Sequence, residues 1–325
     1  MGCGGSRRGL GAATAVVALA VAAFSLAGWA APPQAAAAHF ASKVSPQYDR
    51  TAKCDLVDRL PRPPELVIFG GSRAQRFEPS VAERLTGLEA FNFAVQNSRP
   101  EDVYAMTRYL FWRAPKMRVR CFWALQATTI SDSPLHPGLL VERRLNQFLP
   151  KRLVTRQRVS LKDTAGRQLS ADTRFSARGS IVRNKYDARV ERGVTLERAL
   201  ARYLASMVPR AASPSPYTRT RARAYFERTL ELFNRHDVEP VLVIMPYHPT
   251  ALAAFRAAGW GAKEAELKSY LESLRGRYRF RLLDYTDIRS FHGLEEAFYD
   301  GAHVTAANAR RILARAVADA PDAFR

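Results

Sequence analysis

Short apolar runs alternate with amphipathic stretches along most of the chain. The clearest run, Leu66–Phe69, is uncharged and is followed at once by Gly70 and Gly71. An apolar run of this length that ends in glycines is typical of a central strand in a parallel sheet. Pro79 and Gly87 then enclose a stretch that has the start and stop signals of a helix.

This alternation continues for two more units and resumes near the end of the chain. Strands are predicted over residues 90–95, 118–125, 240–245 and 280–285, and helices over residues 100–112, 217–235, 251–275 and 305–318. Alternating strands and helices favour a parallel sheet with right-handed crossovers. We therefore expect an α/β fold, consisting of a single three-layer α/β/α domain with a mostly parallel central sheet.

Two segments depart from this pattern. Residues 32–64 are rich in proline, alanine and polar side chains, and we expect them to form a linker ahead of a domain at residues 65–325. Residues about 131–215 carry many arginines and show no clear period, apart from a predicted helix at 196–207. We interpret them as a basic insertion, and we expect residues 151–190 to contribute little to the core.

The N-terminal segment has the layout of an export signal. Arg7 and Arg8 precede an uncharged, alanine-rich run whose most apolar part covers residues 12–31. A secretory signal of the general or twin-arginine type has this layout, and the run is also about as long as a minimal membrane span. Residues 1–31 are thus predicted to be a cleaved signal or a retained membrane anchor. The protein is expected outside the cell or in the cell envelope.

Composition limits the partners. Lys and Arg number 50 against 30 Asp and Glu, so the formal net charge is +20, which favours an anionic partner. We expect no nucleic acid, because the segment 1–31 indicates export and the basic insertion lacks interleaved aromatic residues. The histidines and cysteines have no zinc-site spacing, so no metal or other cofactor is predicted. Cys54 and Cys121 would form either a disulfide or two buried thiols.

The candidate catalytic residues follow the first predicted strand and precede the last predicted helix. Ser72 follows the first strand, at the carboxyl edge where open α/β sheets bind ligands. A serine hydroxyl needs a neighbouring base, and Asp300 and His303 stand three residues apart just before the last predicted helix. Both blocks are in loops on the carboxyl side of the sheet. A Ser–His–Asp arrangement for nucleophilic catalysis is therefore expected.

This combination of motifs resembles the SGNH, or GDSL-like, hydrolase and acyltransferase superfamily. In that superfamily the nucleophilic serine follows the first strand, and an aspartate and a histidine share a late Asp-x-x-His block. The resemblance covers residues 66 to about 318. It implies Ser72 as nucleophile, His303 as base and Asp300 as its orienting carboxylate, on a sheet with flavodoxin-like strand order.

The same resemblance suggests how an oxyanion would be bound. Residues 91–97 resemble the second block of the family, with Ala94 where a glycine is usual, whereas the third block, Gly-x-Asn-Asp, is absent. The backbone N–H groups of Ser72 and Ala94 are the implied donors, with the side chain of Asn92 or Asn97 as a further candidate. Arg73 and His248 are separate candidates for substrate binding. The alternative for Arg73 is a surface salt bridge, and the alternative for His248 is a structural role.

The functional expectation follows from the family. The chain resembles a divergent branch that includes surface-polymer O-acetyltransferases and D-alanyl-transfer proteins. The expected protein is an exported serine esterase or O-acyltransferase acting on acyl groups, acetyl above all, of a surface carbohydrate or cell-wall polymer. The alternative is a catalytically inactive SGNH-like module that binds an anionic glycan through its basic surface. The sequence leaves hydrolysis and transfer equally open.

Overall fold

A computed structural model describes residues 1, 48–126, 128–130, 134–155, 172–212 and 220–325. The predicted signal or anchor at residues 1–31 therefore lies outside the described residues, apart from Met1. Within the described ranges, no helix combines the length and the apolar composition needed to cross a membrane.

Seven strands are found in the described residues. They are β1 (Leu66–Phe69), β2 (Ala90–Asn92), β3 (Arg120–Leu125), β4 (Arg174–Phe175), β5 (Ile181–Arg183), β6 (Val241–Ile244) and β7 (Arg281–Asp284). Five of them form one sheet in the order β2-β1-β3-β6-β7, and all four pairings are parallel. Counted along the chain this is the 2-1-3-4-5 order of flavodoxin-like sheets. The expected α/β class and parallel central sheet are confirmed.

The described helices flank this sheet. They are α1 (Asp49–Asp58), α2 (Pro79–Thr86), α3 (Pro100–Arg113), α4 (Pro137–Val141), α5 (Arg143–Asn146), α6 (Lys151–Thr155), α7 (Lys185–Glu191), α8 (Leu196–Ala212), α9 (Thr220–Arg235), α10 (Pro249–Ala257), α11 (Trp260–Leu274) and α12 (Ala306–Asp319). Residues 251–275 are largely helical as predicted, but they form two helices, because Gly259 adopts a left-handed φ of 89° between α10 and α11.

Alternation of side chains along the strands produces the three layers. In β1, Val67 and Phe69 belong to one buried cluster, whereas Leu66 and Ile68 belong to a second cluster on the other face. Helices α1, α3, α9 and α11 contribute to the first cluster, and α2 and α12 to the second. Because both faces are covered, every residue of β1 is buried, as expected of a parallel strand.

Part of the segment predicted as a linker belongs to the folded domain. Helix α1 lies within residues 32–64, and its Arg50, Lys53 and Cys54 are fully buried. Arg50 pairs with Asp49 at 3.0 Å and with Asp102 of α3 at 2.9 Å. The linker prediction is therefore wrong from residue 48 onward. The cause is that the buried positions of α1 include charged residues, which a hydrophobic pattern does not reveal.

The insertion contributes to the core ahead of residue 151, outside the segment 151–190 for which little core is expected. Leu139, Leu145 and Leu149, which lie between β3 and the antiparallel hairpin β4–β5, are buried in the first cluster. The hairpin bonds to the main domain, since Ile181 N–H donates to the Gln75 carbonyl at 2.7 Å. Cys54 and Cys121 are both free and buried, and burial raises the pKa of each thiol. The disulfide alternative does not hold in this structure.

Candidate active site

The nucleophile candidate stands on a turn that only glycine permits at its start. Gly70 follows β1 with a φ of 151°, and a Cβ there would lie 2.8 Å from the Cβ of Ala74 and 2.9 Å from that of Ala124. Ser72 then opens a 3-10 turn over residues 72–74. Its own N–H is the first of that turn and takes no part in the turn's internal hydrogen bonds, so it is available to a ligand.

The Asp300–His303 loop is closed on itself just before α12. Phe298 and Val304 form an isolated antiparallel bridge, and Tyr299 N–H donates to the His303 carbonyl at 2.7 Å. Inside the loop, Oδ1 of Asp300 accepts the backbone N–H groups of Ala302 and His303, each at 2.9 Å. These two bonds hold the Asp300 carboxylate in position independently of its contact with the imidazole.

The structure brings the three predicted catalytic residues together. Ser72 Oγ lies 3.0 Å from Nε2 of His303, and Nδ1 of the same ring lies 3.0 Å from both carboxylate oxygens of Asp300. Because Nδ1 faces a carboxylate, its proton is held there, and Nε2 is left to accept the serine proton. This is the geometry required for a general base acting on a serine hydroxyl.

Electrostatics keep the carboxylate ionised. Burial raises the pKa of Asp300, but the charge of His303 and the hydrogen bonds from the His303 ring and two backbone N–H groups outweigh it. The net pKa of Asp300 is therefore below its ordinary value. An ionised Asp300 can stabilise an imidazolium formed at His303 during a reaction.

Arg73 and His248 support the loop and do not line the pocket described below. The Arg73 side chain is buried, donates from Nε to the Ala302 carbonyl at 3.0 Å and lies over the ring of Tyr247. His248 N–H donates to the Gly301 carbonyl at 3.1 Å, and its Nδ1 accepts the Thr250 N–H at the start of α10. In this structure neither of the two residues predicted to bind substrate lines the cavity in front of Ser72 and His303.

Asn92 and Ala94 are also engaged elsewhere. Asn92 is fully buried, and its side-chain amide donates to the carbonyls of Ala74 at 2.9 Å and Phe77 at 2.8 Å. Its Oδ1 accepts the Ala94 N–H at 2.9 Å, so that donor is used as well. Both oxyanion predictions are therefore wrong in this structure. Asn92 instead ties the segment after Ser72 to the end of β2.

A polar cavity of about 310 Å³ opens in front of Ser72 and His303. Its lining residues are Ser72, Gln75, Gln96, Asn97, Thr173, Ile181, Asn184, Lys185, Tyr186 and His303. Asn97 thus faces the cavity, with a left-handed φ of 48°, and remains an oxyanion candidate together with the Ser72 N–H. The described lining is rich in amides and hydroxyls and contains no carboxylate.

A scan of protein-family models and a search of curated proteins return no match to the chain. The function of the site is therefore inferred from its geometry.

Half of the cavity wall comes from the insertion, which sequence reasoning did not assign to the site. Tyr186 is the nearest of these residues to the chemistry, because its hydroxyl lies 3.1 Å from Nε2 of His303. A local signal for this element exists in the sequence. Asn184 caps α7 by accepting the Tyr186 N–H, and Asp187 accepts the Asn184 N–H in return, which forms a capping box.

One carboxylate connects the insertion to both halves of the site. Asp187 accepts a hydrogen bond from the Tyr299 hydroxyl at 2.6 Å, in the loop closed by Phe298 and Val304, and it forms an ion pair with Arg76, just after the serine turn. Helix α1 contacts two residues of the cavity wall, since Asp49 accepts hydrogen bonds from the Gln75 side-chain amide and the Gln96 N–H. Among the described residues, no group of three or more potential metal ligands occurs.

Proposed function

We propose that the protein is a serine-dependent esterase or O-acyltransferase of the SGNH type, acting on short acyl groups such as acetyl. The observation that carries the proposal is the continuous hydrogen-bond chain from Ser72 through His303 to Asp300. Each member is held by backbone contacts of its own, and the serine faces a cavity large enough for an acyl group and part of its carrier.

The geometry supports a two-step reaction. Ser72 Oγ gives its proton to Nε2 of His303 and attacks the carbonyl carbon, and the carbonyl oxygen becomes an oxyanion facing the Ser72 N–H. The tetrahedral intermediate then collapses. The bond from carbon to the leaving oxygen breaks, and that oxygen takes the proton from Nε2. Water or a hydroxyl-bearing acceptor repeats the sequence in reverse on the acyl-serine, releasing acid or a new ester.

The cavity favours a carbohydrate as the carrier of the acyl group. Amide side chains from Gln75, Gln96, Asn97 and Asn184 offer paired donors and acceptors that suit sugar hydroxyls. Lys185 adds one positive charge to the described lining. Together with the export signal predicted at residues 1–31, these features support an acylated surface carbohydrate or cell-envelope polymer as substrate. An inactive glycan-binding module would not require the aligned serine, histidine and aspartate.

A serine-directed fluorophosphonate tests the proposal. We expect it to label the folded protein at one site, which peptide mapping will place at Ser72, and to leave Ser72→Ala unlabelled. Ser80→Ala, at an exposed position on α2, should label like the wild type. The wild type should also release p-nitrophenol from p-nitrophenyl acetate. Mapping of the label to another serine, or glycan binding without labelling or turnover, would overturn the assignment.

A further inference from the structure

Two hydroxyl groups converge on one nitrogen of the catalytic histidine. Nε2 of His303 lies 3.0 Å from Ser72 Oγ and 3.1 Å from the hydroxyl of Tyr186. The Tyr186 ring also lies against the imidazole, with ring centroids 4.5 Å apart, and against Tyr299, with centroids 5.7 Å apart. Sandwiched between two rings of the catalytic loop, the phenol is held at the reacting atom.

Nε2 of His303 can accept only one hydrogen bond, so the two hydroxyls cannot both donate to it. With its proton on Nδ1 facing Asp300, the neutral imidazole offers a single lone pair at Nε2. An activated Ser72 uses that lone pair. The Tyr186 proton must then point elsewhere, and the side chain lines the cavity where substrate binds.

The reaction also places a substrate oxygen beside this nitrogen. The leaving oxygen receives its proton from Nε2, and the acceptor oxygen later gives one to it, so each must come within hydrogen-bond distance of Nε2. The oxyanion, by contrast, faces the Ser72 N–H. A hydroxyl already 3.1 Å from Nε2 is therefore on the side of the leaving and acceptor oxygen.

We propose that Tyr186 is a further catalytic residue, whose hydroxyl donates a hydrogen bond to the leaving oxygen in acylation and to the acceptor oxygen in deacylation. This inference rests on the proposed function. It assigns to the site esters of alkyl alcohols, including sugar hydroxyls, because their oxygens are poor leaving groups that need a nearby donor. Tyr186 keeps its own proton throughout, and the transferred proton is the one on Nε2.

The surroundings of Tyr186 suit a neutral donor. Burial raises the pKa of Tyr186 well above its ordinary value, the charge of Asp300 adds to this, and Arg189 opposes it. The phenol thus stays protonated at neutral pH. Its helix is fixed by Asp187, which bridges Arg76 and Tyr299. A donor held in place in this way loses little conformational freedom when substrate arrives.

The test compares two acetyl esters in Tyr186→Phe. p-Nitrophenolate leaves as an anion and needs no donor, so kcat/KM for p-nitrophenyl acetate should fall less than kcat/KM for an alkyl ester. For an alkyl acetate such as an acetylated methyl glycoside, kcat/KM should fall by about tenfold to hundredfold. Tyr270→Phe, which removes a hydroxyl on α11 that donates to Glu227 of α9, should change neither value.

Different outcomes would contradict the role of Tyr186 and the proposed esterase or acyltransferase function. Equal losses on both esters, or no loss on the alkyl ester, would contradict a role for Tyr186 at the leaving oxygen. Failure of the wild type to form an acetyl-serine at Ser72 would overturn the proposed function itself. Should Tyr186→Phe fail to fold, 3-fluorotyrosine at position 186 serves instead. As a stronger donor it should raise the alkyl-ester rate relative to the aryl-ester rate, and an unchanged ratio would contradict the inference.

Discussion

Ser72 and His303 are 231 residues apart in the chain, and the hydroxyl of the first lies 3.0 Å from Nε2 of the second. Nothing local brings them together. The serine stands on the turn after β1, and the histidine stands in a loop before α12, at the same edge of the parallel sheet. The fold therefore creates this contact, and changes that disturb the sheet edge should affect activity before they affect global stability.

Replacing the carboxylate should damage the chemical step. In Asp300→Asn the amide oxygen can still accept the N–H groups of Ala302 and His303, which turns the NH₂ group toward Nδ1. The imidazole must then carry its proton on Nε2, where it cannot take the serine proton. In other triads this change costs about ten-thousand-fold in kcat. Steady-state kinetics with p-nitrophenyl acetate measure it.

Asp287→Asn is the matched control for that variant. Asp287 caps the 3-10 turn Ile288–Phe291 by accepting the Arg289 N–H, a role that asparagine also fills. Its kcat should stay close to the wild-type value. A kcat for Asp300→Asn within about tenfold of this control would show that Asp300 does not orient the histidine.

Lys53 should make stability depend on pH above neutrality. Burial lowers its pKa to about 7, against the opposing charge of Asp49. Between pH 7 and its unfolded value near 10.5, the unfolded chain holds a proton that the folded protein has released. The free energy of unfolding should therefore rise with pH in this window, by up to about 1.4 kcal/mol per pH unit from this group.

Urea denaturation of Lys53→Met across the same window isolates that contribution. Methionine has a similar length and no charge, so the variant should show a flatter rise of unfolding free energy with pH than the wild type. Lys116→Met removes a charge from an exposed position and should keep the wild-type slope. Identical slopes in the wild type and Lys53→Met would mean that Lys53 stays charged in the folded protein.

Gly179 should tolerate no side chain, because it meets the main chain of β2. A Cβ at Gly179 would lie 2.3 Å from the Asn92 carbonyl oxygen, which also accepts a hydrogen bond from Lys53 Nζ at 2.6 Å. Gly193 has a similar left-handed φ but open space around it. Both alanine variants carry the backbone strain, and Gly179→Ala should lose about 1–3 kcal/mol more in unfolding free energy.

Activity should also distinguish Gly179→Ala from Gly193→Ala. Displacing Gly179 moves the segment that carries Ile181 at the cavity wall, so Gly179→Ala should also lower kcat/KM for p-nitrophenyl acetate. Gly193→Ala should not lower it. Equal stability and equal activity of the two alanine variants would contradict the packing described for the hairpin.

Sequence reasoning was successful where one local pattern determined the structure. The apolar run of β1 has the predicted bounds, and the turn after it follows from its glycines. The positions of Asp300 and His303 before the last helix were likewise predictable, since a three-residue spacing in a closed loop brings a carboxylate to an imidazole. The strand order then brought Ser72 to them.

Sequence reasoning failed where the buried side chains are polar or where their partners lie far along the chain. Helix α1 was missed because Arg50 and Lys53 are neutralised or bonded by partners far along the chain. Asn92 was one of the oxyanion-hole candidates, although its side-chain amide donates to three carbonyls around the serine turn. Tyr186 was missed because it lies in an arginine-rich segment whose contacts, through Asp187, are with Arg76 and Tyr299 far along the chain.

Single-turnover acylation tests the central claim most directly. With enzyme in excess over p-nitrophenyl acetate, Ser72→Ala should form no acetyl-enzyme, and His303→Ala should acylate at least about ten-thousand-fold more slowly than the wild type. In steady-state release of p-nitrophenol, the double variant should be little slower than either single variant, because the two residues act as a unit. Additive losses in the double variant, or near-wild-type acylation by His303→Ala, would show that Ser72 and His303 are not catalytic partners.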